Sequence, residues 1–289
     1  MATIGIFDSG VGGLTVLKTV AKLSIKPDII YFGDLAHIPY GNKSEAVILS
    51  YTVKIVNFLI QQQVQMIIIA CNTISAVAAS VVETICKQNN ILLVNIIDSI
   101  LSYYQKQQHT LPDSNWLLLA TETTIKSNCY QRQLAELSNI NKIYSKACQL
   151  FVPIIEDVNL LYNSKDNSIN KAGRRIISEI VLYYLTEFID IKIDNILLGC
   201  THYPMINDII DEIIKTYFKQ VVSYNIIDPA TTVSITVQTL LKNSQPINKN
   251  SQQNIKFYVT DSKEKFTTIA HIFLKDILST SHQIEVISL

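Results

Sequence analysis

Glycine and arginine are both scarce in this 289-residue chain, which has eight Gly and only three Arg (Arg132, Arg174 and Arg175). Charge of either sign is not in surplus: Lys plus Arg and Asp plus Glu each total 24. A nucleic-acid binder relies on a basic face, because phosphate contacts dominate its affinity. The balance argues against that class. Five Cys are present (Cys71, Cys86, Cys129, Cys148 and Cys200), but no CxxC pair and no Cys/His cluster at zinc spacing. An odd count in a chain of this length argues against a disulfide framework, and no metal is expected. Residues 55–82 lack charge, yet Asn57, Gln61, Gln62, Gln63, Gln65, Asn72, Thr73 and Ser75 interrupt them. A membrane span takes about 20 predominantly apolar residues, so none is expected here. The opening Met-Ala-Thr-Ile-Gly-Ile-Phe carries neither basic leader nor cleavage site. The expectation is a cytoplasmic protein with reduced thiols.

What is present is a repeated rhythm of short apolar runs and longer amphipathic stretches. Strands are expected at 3–7, 29–32, 66–70, 92–96, 116–120, 195–198, 256–260 and 285–289. Helices are expected at 14–23, 43–61, 73–87, 125–137, 172–188, 205–218 and 263–278. Alternation of this kind predicts α/β architecture, with mostly parallel sheets flanked by helices. Two polar segments, 159–170 and 242–253, read as surface loops. One internal echo stands out. Met66-Ile-Ile-Ile-Ala-Cys-Asn-Thr is matched by Asn195-Ile-Leu-Leu-Gly-Cys-Thr-His. Each is an apolar strand, a small residue, a Cys and then small polar residues. Two such units predict two related α/β halves.

The few glycines cluster. Gly5, Gly10, Gly12, Gly13, Gly33, Gly41 and Gly199 lie in or beside four short segments. Glycine is used where backbone takes positive φ or must approach something closely. The first cluster, Gly5-Ile-Phe-Asp-Ser-Gly-Val-Gly-Gly-Leu, follows a strand and opens a helix. It is not GxGxxG, because Thr15 stands where the third glycine belongs, so a dinucleotide site is poorly supported. Asp8 falls at the carboxyl edge of the strand, where α/β proteins bind ligands. Helix N-capping is its structural alternative.

Cys71 and Cys200 are the sharpest pair. Each follows a strand and precedes a helix, a junction whose free N–H groups and dipole favour a thiolate. Cys86, Cys129 and Cys148 read as ordinary small apolar residues. His202, two residues beyond Cys200, has the chemistry of a proton-transfer aid. A nucleophilic Cys enzyme needs one thiol and one base. Two thiols in matching frames suit a reaction whose two ends are mirror images, such as racemisation at Cα. There, one thiolate removes the proton from one face and the other thiol returns a proton to the opposite face.

These segments resemble the glutamate racemases of the aspartate/glutamate racemase family along nearly the whole chain. The matching motifs include Gly5-Ile-Phe-Asp-Ser-Gly-Val-Gly-Gly-Leu-Thr-Val-Leu, Tyr31-Phe-Gly-Asp and Ile38-Pro-Tyr-Gly. They continue with Ala70-Cys-Asn-Thr, Phe151-Val-Pro-Ile-Ile-Glu156, Leu198-Gly-Cys-Thr-His-Tyr-Pro204 and Phe257-Tyr-Val-Thr-Asp. The resemblance implies two similar α/β domains, residues 1–96 with 208–289 and residues 97–207, with the active site in the cleft between them. It implies that Cys71 deprotonates D-glutamate and Cys200 deprotonates L-glutamate, with Asp8, His202 and Glu156 as helpers. Asp8, Ser9, Tyr40, Gly41, Asn72, Thr73, Thr121, Thr124, Thr201 and His202 match substrate-binding positions. The product D-glutamate feeds peptidoglycan synthesis, no cofactor is required, and a homodimer is implied. Gln149, Asn95, Ala120 and Pro229 depart from the family pattern. Aspartate racemase, or a non-catalytic amino-acid-binding protein on the same fold, is the alternative. No Arg lies in a motif and no pyridoxal lysine motif is present. Substrate carboxylates are therefore expected to rest on N–H groups and on Ser, Thr, Asn and Tyr side chains.

Overall fold

The computed structural model describes residues 3–163, 168–220, 223–244, 253–275, 277 and 283–289. The chain divides into two compact units, Met1–Tyr103 with Pro229–Leu289, and Tyr104–Asp228. The first unit opens with β1 (Thr3–Asp8), α1 (Leu14–Ala21), β2 (Asp28–Gly33), α2 (Glu45–Gln61), β3 (Met66–Ile69), α3 (Asn72–Gln88) and β4 (Leu92–Asn95). Helix α4 (Ile96–Gln105) leads out of it. The second unit holds β5 (Ser114–Ala120), α5 (Glu122–Lys126), α6 (Cys129–Leu134), β6 (Ile140–Ala147), α7 (Phe151–Ile155), α8 (Val158–Leu161), α9 (Lys171–Leu185), β7 (Asn195–Gly199), α10 (Asn207–Tyr217) and β8 (Asn225–Ile227). The chain then returns to the first unit with α11 (Pro229–Ser244), β9 (Ile255–Val259), α12 (Lys263–Phe273) and β10 (Ile284–Val286).

Both sheets are parallel, as the βα rhythm predicts. The first runs β10-β9-β2-β1-β3-β4. The second runs β6-β5-β7-β8. Parallel strands covered on both faces read as unbroken apolar runs, and all of β3 and β7 is buried. Helix α2 buries Ile48, Thr52, Ile55, Val56 and Leu59, a stripe at helical spacing. It packs with α3 over Phe7, Phe32, Ile67 and Ile69. Each such apolar side chain contributes about 1.5–3 kcal/mol on burial.

Several elements differ from expectation. The single helix expected at 125–137 is two, because Asn128 takes a left-handed φ of 54° between α5 and α6. The polar segments expected as loops are partly helical, since α8 and the end of α11 enter them. Their residues 164–167 and 245–252, like the expected helix end at 276 and 278, lie outside the described residues. The unit boundaries fall at 103/104 and 228/229, where the sequence reading sets 96/97 and 207/208. The second crossing lies later because α10 packs on α9 and β8 pairs with β7. Among the described residues, no helix is long and apolar enough to cross a membrane.

Four strands of the first sheet, β2-β1-β3-β4, repeat the order of the second, β6-β5-β7-β8. From β1 the chain moves to β2 on one side and then to β3 on the other. From β5 it moves likewise to β6 and then to β7. Each unit therefore has a switch point, between β1 and β3 and between β5 and β7, where the connections leave in opposite directions. Ligands of open α/β sheets bind at the carboxyl ends of strands flanking such a point. Those ends carry Asp8 and Cys71 in the first unit, and Thr121 and Cys200 in the second.

No glycine has positive φ, and the tightest close approach is at Gly13. A Cβ on Gly13 would sit 2.5 Å from the Asp8 Cβ and 2.9 Å from the Tyr31 hydroxyl. By chain entropy alone, Gly13→Ala would stabilise by about 0.4–1 kcal/mol, because its φ of −60° suits alanine. Overpacking costs about 1–3 kcal/mol and decides the sign. Gly13→Ala is expected to lower the urea midpoint; a raised or unchanged midpoint would show that this contact yields without cost.

Candidate active site

In the first unit the switch point is built by three loops. Asp8 closes β1 and is fully buried, with its Oδ1 accepting the Gly10 N–H at 2.9 Å. It does not cap α1, whose N-cap position is Gly13. Ser9 follows, with its Oγ 3.5 Å from the Cys71 Sγ. Cys71 is buried and occupies the N-cap position of the 17-residue helix α3. Asn72 and Thr73, also buried, form the first turn of that helix. The thiol thus faces the positive end of a long helix, where an anion is favoured.

The third loop follows β2 and carries Tyr40 and Gly41 in a short 3₁₀ turn, Tyr40–Asn42. The Tyr40 hydroxyl is buried and donates to Asp34 Oδ2 at 2.5 Å. Burial, the Asp34 carboxylate and nearby Cys71 push that hydroxyl far above the usual tyrosine range, so it stays a donor. Asp34 is itself fully buried and gathers this corner. Its Oδ1 accepts from the Thr260 hydroxyl at 2.7 Å and lies 2.7 Å from His37 Nδ1, while its N–H donates to the Asp8 carbonyl at 3.2 Å. Sequence reading assigns Asp34 no role. Its visible signals are its place in Tyr31-Phe-Gly-Asp and a charge directly after the buried strand β2.

In the second unit, Thr121 ends the β5 side and caps α5, its Oγ1 accepting from the Thr124 N–H at 3.4 Å. The two threonine hydroxyls lie 2.9 Å apart, and Thr124 is fully buried. Across the switch point, Cys200 follows Gly199, which pairs with Ala120. Cys200, Thr201 and His202 are all buried. The match to Cys71 is incomplete here, because the next element is a 3₁₀ turn, Tyr203–Ile206, ahead of α10. A long helix end is replaced by a side-chain relay. Cys200 Sγ lies 3.7 Å from His202 Nδ1, and His202 Nε2 lies 2.9 Å from Glu156 Oε1.

Glu156 is buried at the C-terminal cap of α7, so the pair sits away from water. Burial by itself would lower the His202 imidazole. The hydrogen bonds and charges of Cys200 and Glu156 overcome it and hold the ring well above its ordinary value. That direction favours the imidazolium, with a carboxylate at one nitrogen and sulfur facing the other.

Of the sequence-predicted residues, Asp8, Ser9, Cys71, Asn72 and Thr73 lie at the first switch point and Thr121, Thr124, Cys200, Thr201 and His202 at the second, while Tyr40 and Gly41 follow β2 and Glu156 ends the helix after β6. The arginines lie elsewhere in the chain. Arg174 on α9 binds Asp208 at 2.6 Å and Glu212 at 2.5 Å on α10. Of the departures from the family pattern, Asn95 turns its Oδ1 to the Ile97 N–H at 2.9 Å, and Gln149 donates to Glu122. Two buried thiols, each beside groups that hold or pass a proton, can remove and return a proton at carbon.

Residues 15–233 match the model of a family described as Asp/Glu/Hydantoin racemase. A glutamate racemase of Hydrogenobaculum sp. (strain Y04AAS1) is 40% identical over 241 residues, covering 83% of each chain. The crystal structure of a glutamate racemase from Francisella tularensis subsp. tularensis SCHU S4, in complex with D-glutamate, is 36% identical with a TM-score of 0.80, covering 99% of this chain and 97% of that one. A glutamate racemase isoform from Bacillus anthracis is 26% identical with a TM-score of 0.84, covering 100% and 98%. By the family model and by relatives of this identity along most of their length, the chain belongs to the Asp/Glu/Hydantoin racemase family.

Proposed function

We propose that this chain interconverts L- and D-glutamate without a cofactor, with Cys71 and Cys200 as the two bases. The observation that carries the reading is the placement of two buried thiols at equivalent points of two sheets that share a four-strand order. The glutamate racemases to which the chain is similar support glutamate as the substrate.

Inversion at Cα replaces a proton on one face by a proton on the other. Starting from L-glutamate, Cys200 as thiolate takes the Cα proton and Cys71 as thiol delivers one to the opposite face. Starting from D-glutamate, the roles exchange. Nothing is consumed, and the two thiols end with their protonation states swapped. The imidazolium of His202, held by Glu156, supplies the positive charge beside Cys200. The start of α3 and the Ser9 hydroxyl serve Cys71. Glutamate brings two carboxylates and an ammonium. Ser9, Tyr40, Gly41, Asn72, Thr73, Thr121, Thr124 and Thr201 offer hydroxyl, amide and backbone donors for the carboxylates, and Asp8 an acceptor for the ammonium. Such donors can hold carboxylates where no guanidinium lies in the motifs. With this chemistry goes a cytoplasmic homodimer that supplies D-glutamate for peptidoglycan synthesis.

Purified protein incubated with L-glutamate, and separately with L-aspartate, tests the substrate by circular dichroism. Ellipticity is expected to decay to zero with glutamate and to persist with aspartate. Decay with aspartate alone would transfer the reading to aspartate racemisation, and decay with neither would favour a binding protein.

Cys71→Ala and Cys200→Ala are each expected to abolish racemisation while leaving the far-ultraviolet spectrum unchanged. Cys71→Ala keeps the base for the L enantiomer, so in D₂O it is expected to exchange the L-glutamate Cα proton without inversion. Normal racemisation by either variant would end the two-base reading. Asp8→Asn and His202→Asn are expected to lower kcat/KM by on the order of 10²- to 10⁴-fold, the span of a positioned acid/base aid. The drop must be equal in both directions, because enantiomers have an equilibrium constant of one. Unaltered kinetics would return both residues to structural roles.

A further inference from the structure

The Glu156 carboxylate must stay on His202, yet it sits at the end of a helix of only five residues, Phe151–Ile155. A helix that short is marginal by itself. Its first turn is fixed from outside by two tyrosines. The Tyr203 hydroxyl donates to the Cys148 carbonyl at 2.9 Å, and that same carbonyl accepts the Phe151 N–H at 3.3 Å. The Leu150 N–H donates to the Tyr184 hydroxyl at 3.1 Å. Phe151 lies between the two rings, edge to face, with centroids 5.0 Å from Tyr203 and 5.3 Å from Tyr184. Tyr203 is fully buried and is the chain neighbour of His202. Its own N–H donates to the Cys200 carbonyl at 3.1 Å. One residue therefore ties the strand-end loop that carries Cys200 and His202 to the start of the helix that carries Glu156.

We propose that Tyr203 is a positioning residue, whose buried hydroxyl holds α7 in place and through it keeps the Glu156 carboxylate on His202. It touches no reacting atom. Its effect travels through Cys148, Phe151 and the turn to Glu156. The kinetic consequence rests on the racemase reading; the effect on His202 does not.

The test is Tyr203→Phe in the full chain, with histidine labelled for NMR and the His202 ring assigned by its loss in His202→Asn. In the unaltered protein, burial lowers the ring's proton affinity, while Cys200 and Glu156 raise it by more. Loosening Glu156 removes one support and leaves burial in place, so the ring is expected to lose its proton at lower pH in Tyr203→Phe. A displacement of about 1 Å costs up to ~10²-fold in rate, and kcat/KM is expected to fall 10- to 100-fold by that principle. In a Glu156→Gln background, Tyr203→Phe should add nothing to either readout, since both act on one contact. An unchanged His202 titration, or full additivity with Glu156→Gln, would overturn the proposal. If Tyr203→Phe does not fold, Tyr184→Phe loosens the same turn from the Leu150 side and must produce the same downward shift. A shifted titration in a protein that racemises neither enantiomer would uphold the positioning role and reject the racemase reading.

Discussion

A parallel strand must hand its chain on at one edge of the sheet, and that constraint governs this molecule. Every β-to-α connection emerges at the same edge, so polar residues there are gathered without being adjacent in sequence. Where consecutive connections leave in opposite directions, the edge is left open between two strands. Both sheets do this after their first strand. Asp8 and Cys71 are 63 positions apart, and Thr121 and Cys200 are 79 apart, yet each pair stands at the ends of hydrogen-bonded neighbours. Strands β3 and β7, which lead to the two cysteines, are buried throughout.

Within that shared plan the two thiols are served by different physics. Cys71 stands at the N-terminus of a 17-residue helix, whose aligned peptide dipoles present a partial positive charge. Cys200 lies three residues ahead of a short 3₁₀ turn, where little dipole accumulates. The His202 imidazole, drawn toward its cationic form by Cys200 and Glu156, takes its place. The second solution is costlier in parts. It needs a buried ion pair, and a buried ion pair is stable only when both partners are held in register. Hence the weight of aromatic packing around Phe151, Tyr184 and Tyr203 in the second unit. The first unit needs no counterpart at Cys71, and its buried carboxylate Asp34 instead fixes the Tyr40 loop.

The sequence makes the fold class legible because unbroken apolar runs alternate with helical stripes, and that pattern survives in a single chain. It makes the thiols legible because the same strand-Cys frame occurs twice. What it hides is whatever depends on tertiary neighbours. Strand β6 escapes notice because Asn141, Lys142 and Lys146 break its apolar run, as suits a strand at the edge of its sheet. Helix α11 escapes it because Thr231, Thr232, Ser234 and Thr236 mask its buried face. Strand β8, which with α10 holds 207–228 in the second unit, is hard to see because it is only three residues long. Asp34 and Tyr203 sit inside quoted motifs, yet their partners Thr260 and Cys148 are 226 and 55 positions away. No local spacing announces such contacts.

The central claim is that two different groups handle the two faces of one carbon. It is tested most directly by following L-glutamate in D₂O during the first few per cent of conversion, with the enantiomers separated and their Cα isotope read by mass spectrometry. The account predicts that the first D-glutamate formed carries deuterium, while the remaining L-glutamate keeps its proton. D-Glutamate that retains the original proton would mean that a single group carries it from face to face, and would contradict the account.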